Sequence, residues 1–355
     1  MDNFLNSRRT VRTLDFADFL HGDANKQSKF CRELIACLST VGFVKLVNHG
    51  LGDEELYEVF EWNKRFFSLP LAAKTKAAHP YGPNPHRGYS YIGQEKLSKV
   101  KDYEKGTRNA VEVYDVKVPP RSSLPPVPYY RCLTDIVLQE SFDQGPAHDE
   151  LYPNRWPDEG DLPNFRVFME RLYDRCHQIH QEILQALALG LGLGTGFFRD
   201  ICDQNTSEVR LNHYPGCEAA VLHKGAKRIS EHTDFGTVTL LFQDSVGGLE
   251  IEDQHVQGDY FPVPFESRSE MIVNIGDCLQ RWSNDKFRAT SHRVVLPPGS
   301  SDGWIEDRYS VAYFGKPNRS QAVGALPELL PDGVKSKYSN ITAWEYNQEK
   351  LTLTY

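Results

Sequence analysis

Glu231-His232-Thr233-Asp234-Phe235-Gly236-Thr237-Val238-Thr239-Leu240-Leu241-Phe242 is the stretch on which the reading of this chain turns. Beyond Asp234 it alternates and is rich in Thr, Val and Leu, which reads as a strand entering a sheet. Residues two apart on a strand point to the same side. His232 and Asp234 therefore project an imidazole and a carboxylate into one space. A polar pair on a sheet edge has the same pattern. The pair is also two thirds of a 2-His-1-carboxylate facial triad, which holds non-haem Fe(II) and leaves positions open for oxygen and a substrate.

Downstream residues complete the set. A turn signal at Asn284-Asp285 is followed by a short polar run and then by His292, at the start of a strand 58 residues after Asp234. Arg308-Tyr309-Ser310-Val311-Ala312-Tyr313-Phe314 is an alternating aromatic and aliphatic strand with Arg308 and Ser310 on one side. An Arg fork binds a carboxylate bidentately, and a Ser hydroxyl adds a third donor. Each residue alone reads as a surface charge or a turn histidine. The ordered set is much harder to obtain by accident.

With these residues in place, the chain resembles the iron(II)- and 2-oxoglutarate-dependent oxygenases related to isopenicillin N synthase and the plant gibberellin and flavonoid oxidases. The resemblance covers nearly the whole chain. Gly42-Phe43-Val44-Lys45-Leu46-Val47-Asn48-His49-Gly50 is similar to that family's early strand and turn. Phe66-Phe67-Ser68-Leu69-Pro70 with Lys74 is similar to the end of its second helix, and Arg87-Gly88-Tyr89 to its next loop. Glu140-Ser141-Phe142-Asp143 and Pro153-Asn154-Arg155-Trp156-Pro157 resemble its middle segment, and Arg210-Leu211-Asn212-His213-Tyr214-Pro215 the strand before the iron site. These motifs point to a superfamily and not to a substrate.

Composition agrees with a globular enzyme. At 355 residues a sizeable core is available. A net charge of −8 argues against nucleic acid or an anionic membrane as the main partner. No run of about 18 apolar residues suggests a membrane span, and no apolar signal region opens the chain. Seven scattered cysteines with no Cys-x-x-Cys read as reduced thiols in a cytoplasmic protein. A small, specialised-metabolite substrate is expected, with no obligate protein partner evident.

Along the chain, residues 27–41 and 53–68 read as amphipathic helices around a strand at 42–47, with Asp53 as N-cap. His49 reads as a local hydrogen-bonding residue at a turn. Pro, Gly and Asn cluster between 78 and 160, as in functional loops over a scaffold. Lys101-Asp102-Tyr103-Glu104-Lys105 opens a segment to Gln139 that is longer than the family's usual connection and suits an inserted hairpin or lid. The spacing predicts a long helix over 164–193, with His177 and His180 on its face. Strands are expected at 208–214, 237–242, 248–252, 258–263, 270–275, 292–296 and 308–315, the pattern of a double-sheet jelly roll. The expected fold is mainly β with flanking helices: a double-stranded β-helix (jelly-roll) core, N-terminal helices and a long backing helix. One oxygenase domain spans 1–355. Its parts are an N-terminal region at 1–120, connecting loops and the long helix at 121–206, the iron- and 2-oxoglutarate-binding core at 207–320, and a C-terminal segment at 321–355.

The resemblance implies Fe(II) on His232, Asp234 and His292, with 2-oxoglutarate and O2 taking the open positions. It assigns the far carboxylate of 2-oxoglutarate to Arg308 and Ser310, and places Tyr214 and Asn212 beside the cosubstrate. His213 points the other way along that strand. Oxidative decarboxylation would release succinate and CO2, and the C–H bond broken next would lead to hydroxylation, desaturation or ring formation. The resemblance implies that the loop carrying Tyr89 and Tyr91 closes over the substrate, and Phe235 and Phe314 are further candidates to line its pocket; simple packing is the alternative for all four. A compact, mostly apolar substrate is expected. The 16-residue gap from His292 to Arg308 is wider than is usual for the family and reads as a longer hairpin that keeps Arg308 on the neighbouring strand. Two other readings compete. One is a cosubstrate-independent oxidase of the isopenicillin N synthase type, and the other a catalytically silent jelly-roll binding protein.

Overall fold

The computed structural model describes residues 9–80, 82, 84–94, 137–223, 227–297, 300 and 303–354. The expected hairpin or lid opening at Lys101 lies outside the described residues, as does most of the 101–139 segment.

Two sheets face each other. The larger has eight strands in the order β1-β2-β11-β8-β14-β5-β4-β3. Here β1 is Thr13–Asp15, β2 Phe43–Val47, β3 Gly88–Ser90, β4 Glu140–Gln144 and β5 Glu208–Tyr214, while β8 is Val238–Gln243, β11 Met271–Ile275 and β14 Arg308–Phe314. The smaller sheet has the order β10-β9-β12-β7, with β7 Ile229–His232, β9 Leu249–Glu252, β10 Tyr260–Pro262 and β12 His292–Val294. A two-stranded ribbon pairs β6 (Cys217–Glu218) with β13 (Trp304–Ile305). The jelly-roll architecture is as the strand spacing predicts, and the N-terminal strands join the same large sheet.

Helices cover one face of that sheet. These are α1 (Ala24–Thr40), α2 (Asp53–Phe67) and α3 (Phe165–Gly190); α4 is Asp277–Trp282, and α5, Ala343–Thr354, packs against it, with the Tyr346 hydroxyl donating to Asp277 at 2.7 Å. Apolar residues recur on α3 at three- and four-residue steps, and Phe168, Leu172, Cys176, Ile179, Ile183 and Leu187 are all buried. They join Leu34 and Leu38 of α1, Val59 and Phe66 of α2, and Val209, Leu211, Leu240, Val273 and Val311 of the sheet in one core. Each such fully buried side chain contributes roughly 1.5–3 kcal/mol. Asp23 caps α1 by accepting from the Asn25 and Lys26 N–H groups at 2.9 and 3.0 Å. At α2 the N-cap is Gly52, not the expected Asp53. Gly52 is extended and donates its N–H to Glu55 Oε2 at 3.1 Å, so Asp53 falls in the first turn, where an acid complements the helix dipole.

A second, smaller core lies between the sheets, where Phe43, Tyr214 and Ile272 meet Ile229, Leu249, Ile251 and Val294. Strand alternation separates the two cores. On β5, Val209 and Leu211 face the helices, while Glu208, Arg210, Asn212 and Tyr214 line the cavity between the sheets.

Candidate active site

The chain does not run through the key stretch as one strand. β7 ends at His232, and Thr233 to Thr237 cross from the small sheet to β8 of the large one. His232 and Asp234 share one space because a turn folds the carboxylate back, not because a strand alternates. The turn is pinned by backbone bonds: Asp277 N–H donates to Asp234 O at 2.7 Å, and Thr237 N–H to Gly315 O at 2.7 Å. Gly236 is required here, since a Cβ would stand 2.1 Å from Gly315 O.

His292 begins β12 and pairs directly with His232 on β7. The ligand atoms of His232, Asp234 and His292 lie within 4.8 Å of one another. Both Nε2 atoms stand 3.9 Å from Asp234 Oδ1. His232 Nδ1–H donates to Ser230 O at 2.9 Å and His292 Nδ1–H to Thr290 O at 3.2 Å, which turns each Nε2 toward the shared centre. Asp234 Oδ2 accepts from Thr239 Oγ1 at 2.6 Å and Asn274 Nδ2 at 2.7 Å, leaving Oδ1 to the centre. Burial, then repulsion from His292, pushes the His232 imidazole down to about 4. The Asp234 carboxyl is opposed by burial yet held below its ordinary value by the two imidazoles and its hydrogen bonds. Two imidazoles beside a carboxylate are the donor set that suits a divalent iron, so the residues fit the metal.

These residues line a cavity of about 940 Å³, counted to its open mouth. Arg308 is fully buried and offers Nη2 to Gln243 Oε1 at 3.0 Å and Nη1 to Ser310 Oγ at 3.4 Å. Its guanidinium carbon lies 4.9 Å from the centre of the Tyr214 ring. Asn212 donates to Ser310 Oγ at 3.3 Å. The ladder sets this out in order: Arg308 pairs with Tyr214, Ser310 with Asn212, Ala312 with Arg210 and Phe314 with Glu208. Phe235 and Phe314 also line the cavity. His213 faces away, as alternation predicts, and bonds to Glu140 at 2.7 Å and Asp307 at 3.0 Å.

The wide gap before Arg308 ends elsewhere than expected. Arg308 stands on the sheet facing His292, not on a neighbouring strand, and the gap contains β13, half of the side ribbon. Tyr89 and Tyr91 do not line the cavity. The Tyr89 hydroxyl donates to Glu140 at 2.5 Å and its ring sits in the aromatic core near Phe66, while Tyr91 is exposed. Burial and Glu140 push the Tyr89 phenol up. The loop is tied instead through Arg87, which pairs with Asp149 at 3.1 Å and Glu208 at 3.0 Å.

Sequence reasoning missed several lining or supporting residues. Thr239, Asn274 and Gln243 hold Asp234 and Arg308. Glu208, Arg210 and Lys316 also line the cavity. Asp143 grips Arg210 at 2.7 and 3.0 Å, and Lys316 meets Glu208 at 2.6 Å. The alternation of β5 carried the signal, since Glu208 and Arg210 share a side with Asn212 and Tyr214.

The sequence profile of the 2OG-Fe(II) oxygenase superfamily matches residues 205–317, and that of the N-terminal region of the non-haem dioxygenases in morphine synthesis matches residues 11–159. The 2-oxoglutarate-Fe(II) type oxidoreductase ppzD of Metarhizium rileyi is 62% identical over 347 residues, covering 98% of this chain and 92% of its own. The chain belongs to the 2OG-Fe(II) oxygenase superfamily. This oxygenase is also 49% identical to the proline hydroxylase buaE of Petromyces alliaceus over 97% of this chain and 99% of the relative. Its fold matches a full-length Neurospora crassa protein solved in complex with alpha-KG and thymine, with a TM-score of 0.80, 31% identity and 96% of each chain covered. The oxygenase therefore uses Fe(II), 2-oxoglutarate and O2, and a cosubstrate-independent reaction is not favoured. Among the described residues, no helix is long and apolar enough to cross a membrane.

Proposed function

We propose that this oxygenase breaks an unactivated C–H bond of a small amino acid, with proline and related cyclic amino acids the first candidates. One observation carries the reading: the β5–β14 ladder has a cosubstrate half and a charged half. At about 3.4 Å per residue, Arg210 lies ~14 Å along β5 from Tyr214, further than a five-carbon diacid reaches. Arg210 and Glu208 therefore serve the substrate: held by Asp143, Arg87 and Lys316, they form a charged wall that meets the carboxylate and ammonium groups of an amino acid. This reading differs from the mostly apolar substrate expected from sequence. The relative named as a proline hydroxylase supports the same class.

The residue roles follow. His232, Asp234 and His292 hold the metal. Arg308 and Ser310, backed by Asn212, Tyr214 and Gln243, bind the far carboxylate of the cosubstrate. Phe235 and Phe314 pack against the substrate and exclude water, which strengthens each polar contact in the cavity. Bound at this site, iron, cosubstrate and oxygen supply the oxidant for C–H cleavage. The buried free thiols Cys31, Cys37, Cys176, Cys202 and Cys278 suit a reducing compartment such as the cytoplasm. The test is a panel of amino acids and neutral metabolites scored by succinate formation. Stimulation by a cyclic amino acid, lost in Arg210→Met, is expected. Stimulation by neutral apolar compounds alone would overturn the assignment.

A further inference from the structure

Outside the cavity lining, next to the backbone that leads into Arg308, lies a second buried guanidinium that the roles above leave unused. Arg228 immediately precedes β7 and is fully buried. Its Nη2 donates to the carbonyl of Glu306 at 2.6 Å, two residues before Arg308, while Nε and Nη1 have no hydrogen-bond partner among the described residues. Arg308 is fully buried too, its bonding partners Gln243 and Ser310 are neutral, and among the described residues its Nε is also unpartnered. Among the described residues neither arginine has an ion pair. Asp244, the carboxylate acting on Arg228 from nearby, accepts instead from the N–H groups of Tyr309 at 2.5 Å and Val246 at 3.1 Å. Burial, then repulsion from Arg308, pushes the Arg228 guanidinium down. An arginine cannot shed its proton at neutral pH, so both charges persist in a low-dielectric end of the molecule.

We infer that Arg228 is a positioning residue for the cosubstrate: with Arg308 it leaves the Arg308 end of the cavity short of negative charge, so that this end selects a dianionic 2-oxo acid. The inference rests on Arg308 binding the far carboxylate. Arg228 does not line the cavity, so it acts through its charge and through the Glu306 carbonyl that sets the approach to Arg308. Two like charges kept together without a counterion destabilise the protein until the anion binds. Selectivity for a second carboxylate is therefore built in at the expense of stability in the ligand-free state.

The experiment measures binding rather than turnover. Fe(II)-loaded protein is titrated anaerobically by calorimetry with 2-oxoglutarate and with 2-oxopentanoate, which has the same chain length but lacks the far carboxylate. Arg228→Met is expected to weaken 2-oxoglutarate about tenfold and leave 2-oxopentanoate unchanged. The ligand-free variant is expected to melt at or above the wild-type temperature, because the repulsion is gone. Arg228→Lys keeps the charge and is expected to bind 2-oxoglutarate within about threefold of wild type. Equal weakening of both acids, an unchanged 2-oxoglutarate affinity, or a lowered melting temperature in Arg228→Met overturns the inference in favour of a purely structural arginine. If Arg228→Met does not fold, Arg228→Lys decides: near-wild-type binding supports the role of charge, and a tenfold loss contradicts it. Failure of the clamp reading itself shows separately, as wild-type protein that does not distinguish the two acids.

Discussion

On the helix-facing side of β5, β8 and β14 stand Val209, Leu211, Leu240, Phe242, Val311 and Tyr313, all buried. On the opposite side of the same strands stand Glu208, Arg210, Asn212, Tyr214, Thr239, Arg308 and Ser310, equally buried. Burial thus means two things in one sheet. On the helix side it is non-directional and proportional to apolar area removed from water. On the cavity side it is costly unless each polar atom has a partner. Thr239 therefore bonds to Asp234, Asn212 to Ser310, and Arg308 to Gln243. A slip of one residue would exchange the faces, so the apolar side also fixes which side chains meet the metal centre.

The sharpest way to break this division is to alter each face alone. His232→Ala, on the cavity side, should abolish metal binding and cosubstrate turnover while the metal-free protein keeps its melting temperature. Loss of folding in that variant would show that the face also carries stability. Leu211→Ala, one residue from Asn212 but on the helix side, should cost about 2–5 kcal/mol in denaturant unfolding. Its affinity for 2-oxoglutarate should stay within about threefold in the folded fraction; a large loss would mean the faces are coupled.

His180 tests the helix side by pH. Burial pushes its imidazole down to about 3, and Nε2 is bonded to Thr237 Oγ1 at 2.9 Å. The unfolded chain therefore binds a proton that the folded one refuses between about pH 6.5 and 3, and stability falls as pH falls through that window. Between pH 7 and pH 5 the loss from this group is roughly 2 kcal/mol. Unfolding titrations of wild type and His180→Gln should diverge by that amount, and parallel curves would remove His180 from the account. A last test on the cavity side is Thr239→Val. It frees Asp234 Oδ2 from one donor and should weaken metal affinity about 10–100-fold with little change in melting temperature.

The helix side was the more legible in sequence. Its periodicity marked α3 and the core strands to within a few residues, because apolar burial repeats with the backbone. The cavity side was legible where a side chain carries its own chemistry, as with His232, Asp234, His292 and Arg308, and where the family resemblance extended from these to Asn212, Tyr214 and Ser310. Thr239, Asn274 and Gln243 are ordinary polar residues whose roles depend on partners 5 to 65 residues away. Periodicity also misread the turn at Thr233, since a strand and a backbone-pinned turn both place residues two apart on one side. Tyr89 went astray for a related reason. An aromatic beside a loop suits a lid equally well, and only the Glu140 carboxylate buried beneath it decides for the core.

The most direct test of the central claim is an anaerobic titration of metal-free protein with Fe(II), then 2-oxoglutarate, monitored for the visible charge-transfer band of an iron-chelated 2-oxo acid. The account predicts a band in wild type, none in His232→Ala, and a much higher 2-oxoglutarate requirement in Arg308→Ala. Iron binding without a band in wild type, or an unchanged requirement in Arg308→Ala, would contradict it.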